Sequence, residues 1–307
     1  VAMSAPAALP RIVRFETNPI IAPAMLGSVG HANINGPSLI RVPDWIDSPL
    51  GRYYLYFAAH SGRRIELAHA DRLEGPWTVR PEGALRLEQA RACSGHIASP
   101  DVLVEDETRR IRMYFHGPAQ GGQKTFVALS RDGLAFEAGE TPLANFYLRA
   151  WRWGGMWYGL AKGGELFRCR DGLTPFEKGP RILPDPFAPD GQFNRVNPRH
   201  VAVDLRGDEL WVYWSCIGDR PEHILRGRMR LAGDWTQWKV ADVQSVLKPE
   251  TDYEGALLPL TVSRTGEARE PEHALRDPAI FHEAGRTCLL YSVAGENGLA
   301  IAELFEK

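Results

Sequence analysis

The 307 residues carry a formal net charge of -2, too balanced for a chain built to coat nucleic acid or an anionic membrane. With 44% hydrophobic and 24% charged residues, the composition is that of a globular chain long enough to bury a large core without staples. No apolar run is long enough to cross a bilayer.

In chain order, residues 1–10 are small and apolar. They lack the basic start and long apolar stretch of a signal peptide, and read as a trimmed end. A repeat then governs the chain. An aromatic, β-branched run recurs five times: Tyr53-Tyr-Leu-Tyr-Phe, Ile111-Arg-Met-Tyr-Phe, Met156-Trp-Tyr-Gly-Leu, Leu210-Trp-Val-Tyr-Trp and Leu289-Leu-Tyr-Ser-Val. Each carries a tyrosine at what reads as a matching place: Tyr56, Tyr114, Tyr158, Tyr213 and Tyr291. Such runs read as strands buried on both faces. Before them lie further strands, four of them opened by Pro37, Pro100, Pro198 and Pro278, and the third by Tyr147-Leu-Arg-Ala-Trp. A third strand follows each run, and four copies add an aromatic outer strand at Trp77, Phe136, Phe176 and Trp235.

The fifth copy lacks its outer strand, because the chain stops at Lys307. Val13-Arg-Phe-Glu-Thr resembles the outer strands of the other copies, so the N-terminal segment completes the last one. The fold class predicted is all-β: a five-bladed β-propeller over residues 1–307, one domain whose closure hides its last strand edge. Residues 248–275 form an insertion or lid, with a short turn expected within 268–275.

In such a ring the starts of the axial strands line one mouth of the channel. Polar residues there are the site candidates: His31, Asn33 and Asn35 on the first; His96, Ser99 and Asp101 on the second; Tyr147, Arg149 and Trp151 on the third. Asn194, Arg195, Asn197, Arg199 and His200 stand on the fourth, and Arg276 and Asp277 on the fifth. The insertion adds Glu254. Asp101 and Asp277 are expected at the same axial position, and with Glu254 to surround one pocket. Carboxylates, amides and imidazoles pair with sugar hydroxyls, and aromatic rings pack on sugar faces. A carboxyl pair is also what glycoside hydrolysis requires. Asp132 and Asp171 read as turn residues. His60, His69 and His116 show no metal-ligand spacing.

The blade pattern, with Ser99-Pro100-Asp101-Val102 and Arg276-Asp277-Pro278-Ala279, resembles the five-bladed glycoside hydrolases. These are the arabinanase and β-xylosidase group (family 43) and the related invertase group, the latter through Arg-Asp-Pro. The resemblance implies a glycosidase acting on a glycan in the funnel. Asp101 matches the second-blade residue that tunes the proton donor, and Glu254 the donor by local likeness. Asp277 is implied as base or hydroxyl-binding residue. Asn35-Gly36-Pro37 stands where the family has its base Asp, and no Glu precedes Trp151. Two further readings stay open. One is a sugar-binding propeller without catalysis. The other is a lyase using His96 or His200 with Tyr147 and Arg199.

The substrate-binding set is His31, Asn35, His96, Arg149, Trp151, Asn197, Arg199, His200 and Arg276. No cofactor or metal is called for, although a calcium ion on oxygen ligands in the channel fits the scheme. Cys93, Cys169, Cys216 and Cys288 form no C-x-x-C pair and read as free thiols. They point to the cytoplasm unless a leader has been removed toward secretion or the periplasm.

Overall fold

A computed structural model describes residues 7–28, 30, 32–184 and 197–306. His31, Asn194 and Arg195 lie outside the described residues, as does the side chain of Asn197. Five antiparallel sheets stand around a common axis. The first blade runs Asn35–Arg41, Tyr53–Ala58, Arg64–Ala70 and Thr78–Arg86 from axis to rim. The second runs Ala98–Glu105, Arg110–Ala119 and Gly122–Ser130, with short rim strands Glu137–Ala138 and Ala144–Asn145. The third holds Arg149–Trp153, Met156–Ala161, Glu165–Cys169 and Glu177–Arg181; the fourth holds Asn197–Arg206, Glu209–Ile217, Ile224–Arg230 and Ala241–Leu247. The fifth holds Arg276–Glu283, Arg286–Ser292 and Leu299–Phe305, and takes Arg11–Arg14 as its rim strand.

The second strand of each blade is the recurrent aromatic run. It is largely apolar because a neighbouring blade covers each face, as in Tyr53–Ala58, where all six residues are buried. Five core clusters fill the five seams between adjacent blades. Two sequence expectations shift. In the fourth blade Trp235 opens a short 3-10 turn, and the rim strand is Ala241–Leu247 instead. The tyrosines do not all share one register. Tyr56 faces Ser38 and Tyr114 faces Asp101, but Trp214 faces Val201 and Leu290 faces Ala279. Tyr56 and Tyr114 tie seams together by donating to the carbonyls of Gly133 and Gly172 in the next blade's turn. Asp132 and Asp171 cap those turns through backbone N–H groups. Among the described residues the cysteines form no disulfide; Cys169, Cys216 and Cys288 are buried and Cys93 is half-buried.

The ring closes as expected: Arg11 pairs with Phe305 and Arg14 with Ala302. Arg14 then reaches across to Glu254, donating from Nε to Oε1 at 2.8 Å and from a terminal nitrogen to Oε2 at 3.1 Å. Tyr291 donates to the same carboxylate at 2.9 Å, as do the backbone N–H groups of Glu250 and Thr251. Glu254 is fully buried and saturated with donors.

A second polar anchor sits on the axis. Arg149, 3% exposed, donates to the carbonyl oxygens of Pro37, Pro100 and Val201, from the axial strands of three other blades. Its carboxylate neighbour is Asp101, at 3.7 Å. Replacing Arg149 by Met strands three buried carbonyls. A loss of about 3 kcal/mol or more in unfolding free energy is expected by denaturant titration. Glu254→Ala leaves the Arg14 guanidinium without its buried partner and lowers stability by a similar amount, about 3 kcal/mol.

Candidate functional site

Four of the five axial strands, all but Arg149–Trp153, enter the funnel through a kink. The pairing register shifts between Asn35 and Ser38, Ala98 and Asp101, Pro198 and Val201, and Arg276 and Ala279. Such an extra residue turns a side chain out of the sheet. Three of these kinks place a left-handed residue just before proline: Gly36 (φ 59°), Ser99 (φ 53°) and Asp277 (φ 50°). Ser99 and Asp277 hold this conformation without glycine's freedom, a strain that concentrates at functional sites.

The kinks also correct the expected equivalence of the two aspartates. Asp277 corresponds to Ser99, whereas Asp101, two residues further on, corresponds to Ser38. Ser38 and Asp101 do the same work. Each accepts a backbone N–H from the next blade's axial strand, from Val102 at 2.9 Å and from Ala150 at 2.8 Å. Asp101 is therefore a seam residue, not part of the funnel lining. Its pKa is raised by burial, which the Arg149 charge and the Ala150 N–H only partly offset.

Asp277 does line the funnel. Its Oδ2 accepts from the Gly36 N–H and the Ser292 hydroxyl, both at a long 3.3 Å. Burial, and then the nearby Glu296 carboxylate, push its pKa up to about 6. Glu296 is held from several sides. Its Oε2 accepts from Asn33 Nδ2 at 2.6 Å and the Ala268 N–H at 2.9 Å, and its Oε1 lies 3.4 Å from Arg276. A third carboxylate, Glu222, is fully buried and clamped by Arg199, Arg276 and Ser215. Burial alone would raise its pKa; the two arginines drive it down instead.

Imidazoles complete the funnel. His96 meets Gln123 at 3.3 Å, and His60 stands 3.9 Å from Glu296. The ring of Tyr147 sits between His116 and His200, with centroids at 4.8 and 4.5 Å. Burial, followed by the neighbouring imidazoles, drops the His116 pKa to about 3. Burial and then the Arg149 charge lower His200. Neither His200 nitrogen has a hydrogen-bond partner, nor does Nδ1 of His116. The side chains leave a cavity of about 20 Å³, room for about one water molecule. Lys162 lies beside it, 5.7 Å from the Tyr147 ring, its pKa lowered to about 8 by burial and then by Arg199. Among the described residues no group of three His, Cys, Asp or Glu is arranged to hold a metal ion, so the calcium considered from the sequence finds no such cluster.

Of the sequence candidates, Asn35, His96, Arg199, His200 and Asp277 meet in the funnel, with Ser99 and Tyr147. Arg276 supports it from behind, through Glu222, Glu272 and Glu296. Glu254, Asp101, Arg149 and Trp151 are elsewhere. Glu254 anchors the ring closure, Asp101 staples a seam, Arg149 occupies the axis, and Trp151 packs on Tyr158 in the core between the third and fourth blades. Sequence reasoning missed His60, Gln123, Glu222 and Glu296. All four follow the second strand of a blade, which runs antiparallel to the first and so ends at the same mouth. The turns after the aromatic runs were the signal. The insertion spans this mouth: the carbonyls of Arg264 and Gly266 accept from Arg199, and the Ala268 N–H donates to Glu296.

No protein-family model matches the chain. Among solved structures, the GH43_1 enzyme from Xanthomonas citri complexed with xylose superposes with a TM-score of 0.62 at 12% identity, covering 94% of this chain and 92% of that one. An N-acetylgalactosamine deacetylase from F. plautii, in complex with blood group B trisaccharide, gives 0.60 at 12% identity, with 90% and 91% covered. The fold is thus the five-bladed propeller of the family-43 glycoside hydrolases, and that fold also carries a deacetylase. The uncharacterized protein R118 of Acanthamoeba polyphaga mimivirus is 36% identical over 320 residues, covering 95% of this chain and 90% of that protein. The chain belongs to the family of that mimivirus protein, built on a family-43-type propeller.

Proposed function

We propose that the funnel hydrolyses a glycosidic bond, with Asp277 as proton donor. The observation that carries this reading is the Asp277 carboxyl itself: kinked into the funnel, buried, and pushed up to about 6 beside Glu296. A carboxyl of that pKa keeps its proton up to about pH 6, in mildly acidic solution, and can hand it there to a leaving oxygen. In the reaction, protonated Asp277 gives its proton to the glycosidic oxygen as the bond to the anomeric carbon breaks. Water attacks that carbon, and Glu296 takes the proton that the water loses. The neutral imidazoles of His116 and His200 offer unpaired nitrogens for sugar hydroxyls. Lys162 and Arg199 add positive charge at the rim. Xylose and xylotriose, bound by the Xanthomonas citri enzyme, set the first substrates to try. For a sugar ring to enter a cavity of about 20 Å³, the strand of insertion lying on Arg199 and Glu296 has to lift.

The same small cavity favours one competing reading, a propeller that binds sugar at its mouth without cleaving it. The two differ in product. Wild-type protein incubated with aryl and oligomeric xylosides and arabinosides, together with an N-acetylated sugar, is expected to release the free sugar. Asp277→Asn is expected to cut that rate by about 10² to 10⁴. Asp101→Asn, which keeps an oxygen for the Ala150 N–H, is expected to leave it nearly unchanged. Calorimetric binding with no product from any substrate would establish the competing reading.

The pH dependence follows from the raised Asp277 pKa. The proton donor is lost as pH rises through about 6, so kcat/KM is expected to fall on the alkaline side of that value. Stability moves with the same proton. The folded chain binds it more tightly than the unfolded chain, whose carboxyl titrates near 3.8, so this stabilisation is full below about 3.8 and lost as pH rises through about 6. Asp277→Asn stays neutral throughout. Its thermal midpoint is expected to exceed that of wild type at neutral pH, with the gap closing as pH falls toward 4.

A further inference from the structure

The third blade brings to the mouth a cation to which the reaction above gives no partner. In each blade the chain that follows the second strand returns to the mouth. The other four blades deliver there a group that is already paired. His60 stands 3.9 Å from Glu296, Gln123 meets His96 at 3.3 Å, Glu222 is clamped by Arg199 and Arg276, and Glu296 accepts from Asn33. The third blade delivers Lys162, the residue after Met156–Ala161. Its backbone N–H donates to the Phe146 carbonyl at 3.0 Å, which fixes where the side chain starts. The side chain itself has neither a hydrogen bond nor an ion pair among the described residues.

Lys162 is half-buried, with its nitrogen 5.7 Å from the Tyr147 ring and 6.0 Å from that of Phe146. Contacts that long hold a cation only weakly. Arg199 shows the contrast. It directs Nε and both terminal nitrogens to Glu222 and to the carbonyls of Arg264 and Gly266. The funnel carboxylates are likewise turned to other donors: Glu222 to the two arginines, Glu296 to Asn33, Ala268 and Arg276, and Asp277 to Gly36 and Ser292. Their charges still reach Lys162, as does that of Arg199.

A half-buried ammonium without a counter-charge loses hydration uncompensated, and an anionic group on a ligand compensates it. An ammonium is a compact point charge with three donors and no fixed fork, so it matches one negative charge rather than a planar bidentate group. Beside it the half-buried rings of Phe146 and Tyr147 offer the apolar surface that packs on a sugar ring. We propose that Lys162 selects an acidic sugar, pairing with a substituent that carries one negative charge, as the carboxylate of a uronic acid or a sulfate ester does. This rests on the reading of the funnel as a carbohydrate site and names the class of sugar it takes. Lys162 determines specificity and takes no part in the proton transfers between Asp277, water and Glu296.

The test is calorimetric titration of the whole chain in mildly acidic buffer, below the Asp277 pKa of about 6, where that carboxyl does not repel an anion. Glucuronate is compared with glucose, galacturonate with galactose, and a sulfated galactose with galactose. At least one acidic sugar is expected to bind about tenfold more tightly than its neutral counterpart, and the favoured pair tells carboxylate from sulfate. Lys162→Met, its fold checked by thermal unfolding, is expected to bind that acidic sugar about as weakly as the neutral one. The proposal is overturned if neutral sugars bind and no acidic one binds more tightly, a result that needs no variant and leaves the carbohydrate reading standing. It is equally overturned if folded Lys162→Met keeps the full preference. Binding of no sugar of either kind overturns the carbohydrate reading itself, and this proposal with it.

Discussion

The Arg149 guanidinium is the axle of this propeller. Five wedge-shaped sheets leave a hole where their axial strands converge, and the kinks that open the funnel turn backbone carbonyls into it. Arg149 fills the hole and accepts none of the burden of pairing itself with a ligand: its donors go to Pro37, Pro100 and Val201, on three other blades. Burial lowers its pKa, yet Asp101 and Asp277 both favour its charge. One cation thus serves as hydrogen-bond donor to axial carbonyls of three other blades and as electrostatic partner to both Asp101 and Asp277.

The kinks are where structure becomes chemistry. A regular strand would point its side chains into the seams on either side. In three blades an extra residue held at positive φ before proline departs from that pattern toward the axis. The first blade uses glycine there, the second serine and the fifth aspartate. The backbone strain at Ser99 and Asp277, of about 1–3 kcal/mol each, is tolerated because seam packing and the following prolines fix the geometry around it. One register step separates a residue that titrates in the funnel from one that staples two sheets, which is the whole difference between Asp277 and Asp101.

The funnel wall is a buried ion network rather than an apolar pocket. Arg199 and Arg276 share Glu222, and Arg276 extends the chain to Glu272 and Glu296. Such groups are stable inside a protein only when paired, and their pairing fixes the directions of the side chains that remain. Glu222 gives its capacity to the arginines. Asp277 has only weak donors at 3.3 Å and a second carboxylate nearby, so its pKa is pushed up to about 6. The insertion adds backbone carbonyls and one N–H to the same network, so the segment over the mouth is hydrogen-bonded to the groups beneath it.

The sequence by itself determined the number of blades, the strand order within them and closure by the N-terminal segment from Val13, which the structure places at Arg11–Arg14. These follow from local pattern: aromatic runs buried on both faces, turn residues between them, and a missing rim strand whose copy stands at the other end. It also pointed to the mouth of the channel and to Asp277 and Arg199 within it. Tertiary structure decided which side chains arrive there. Glu254 resembles a proton donor in its local sequence, yet a contact with Arg14, 240 residues away, turns it into the clasp of the ring. His60, Glu222 and Glu296 reach the funnel because antiparallel pairing returns the second strand to the mouth where the first began. The separation of Asp101 from Asp277 depends on a kink in the pairing register. Pairing across a sheet and contact between blades are long-range facts, and no local run of residues records them.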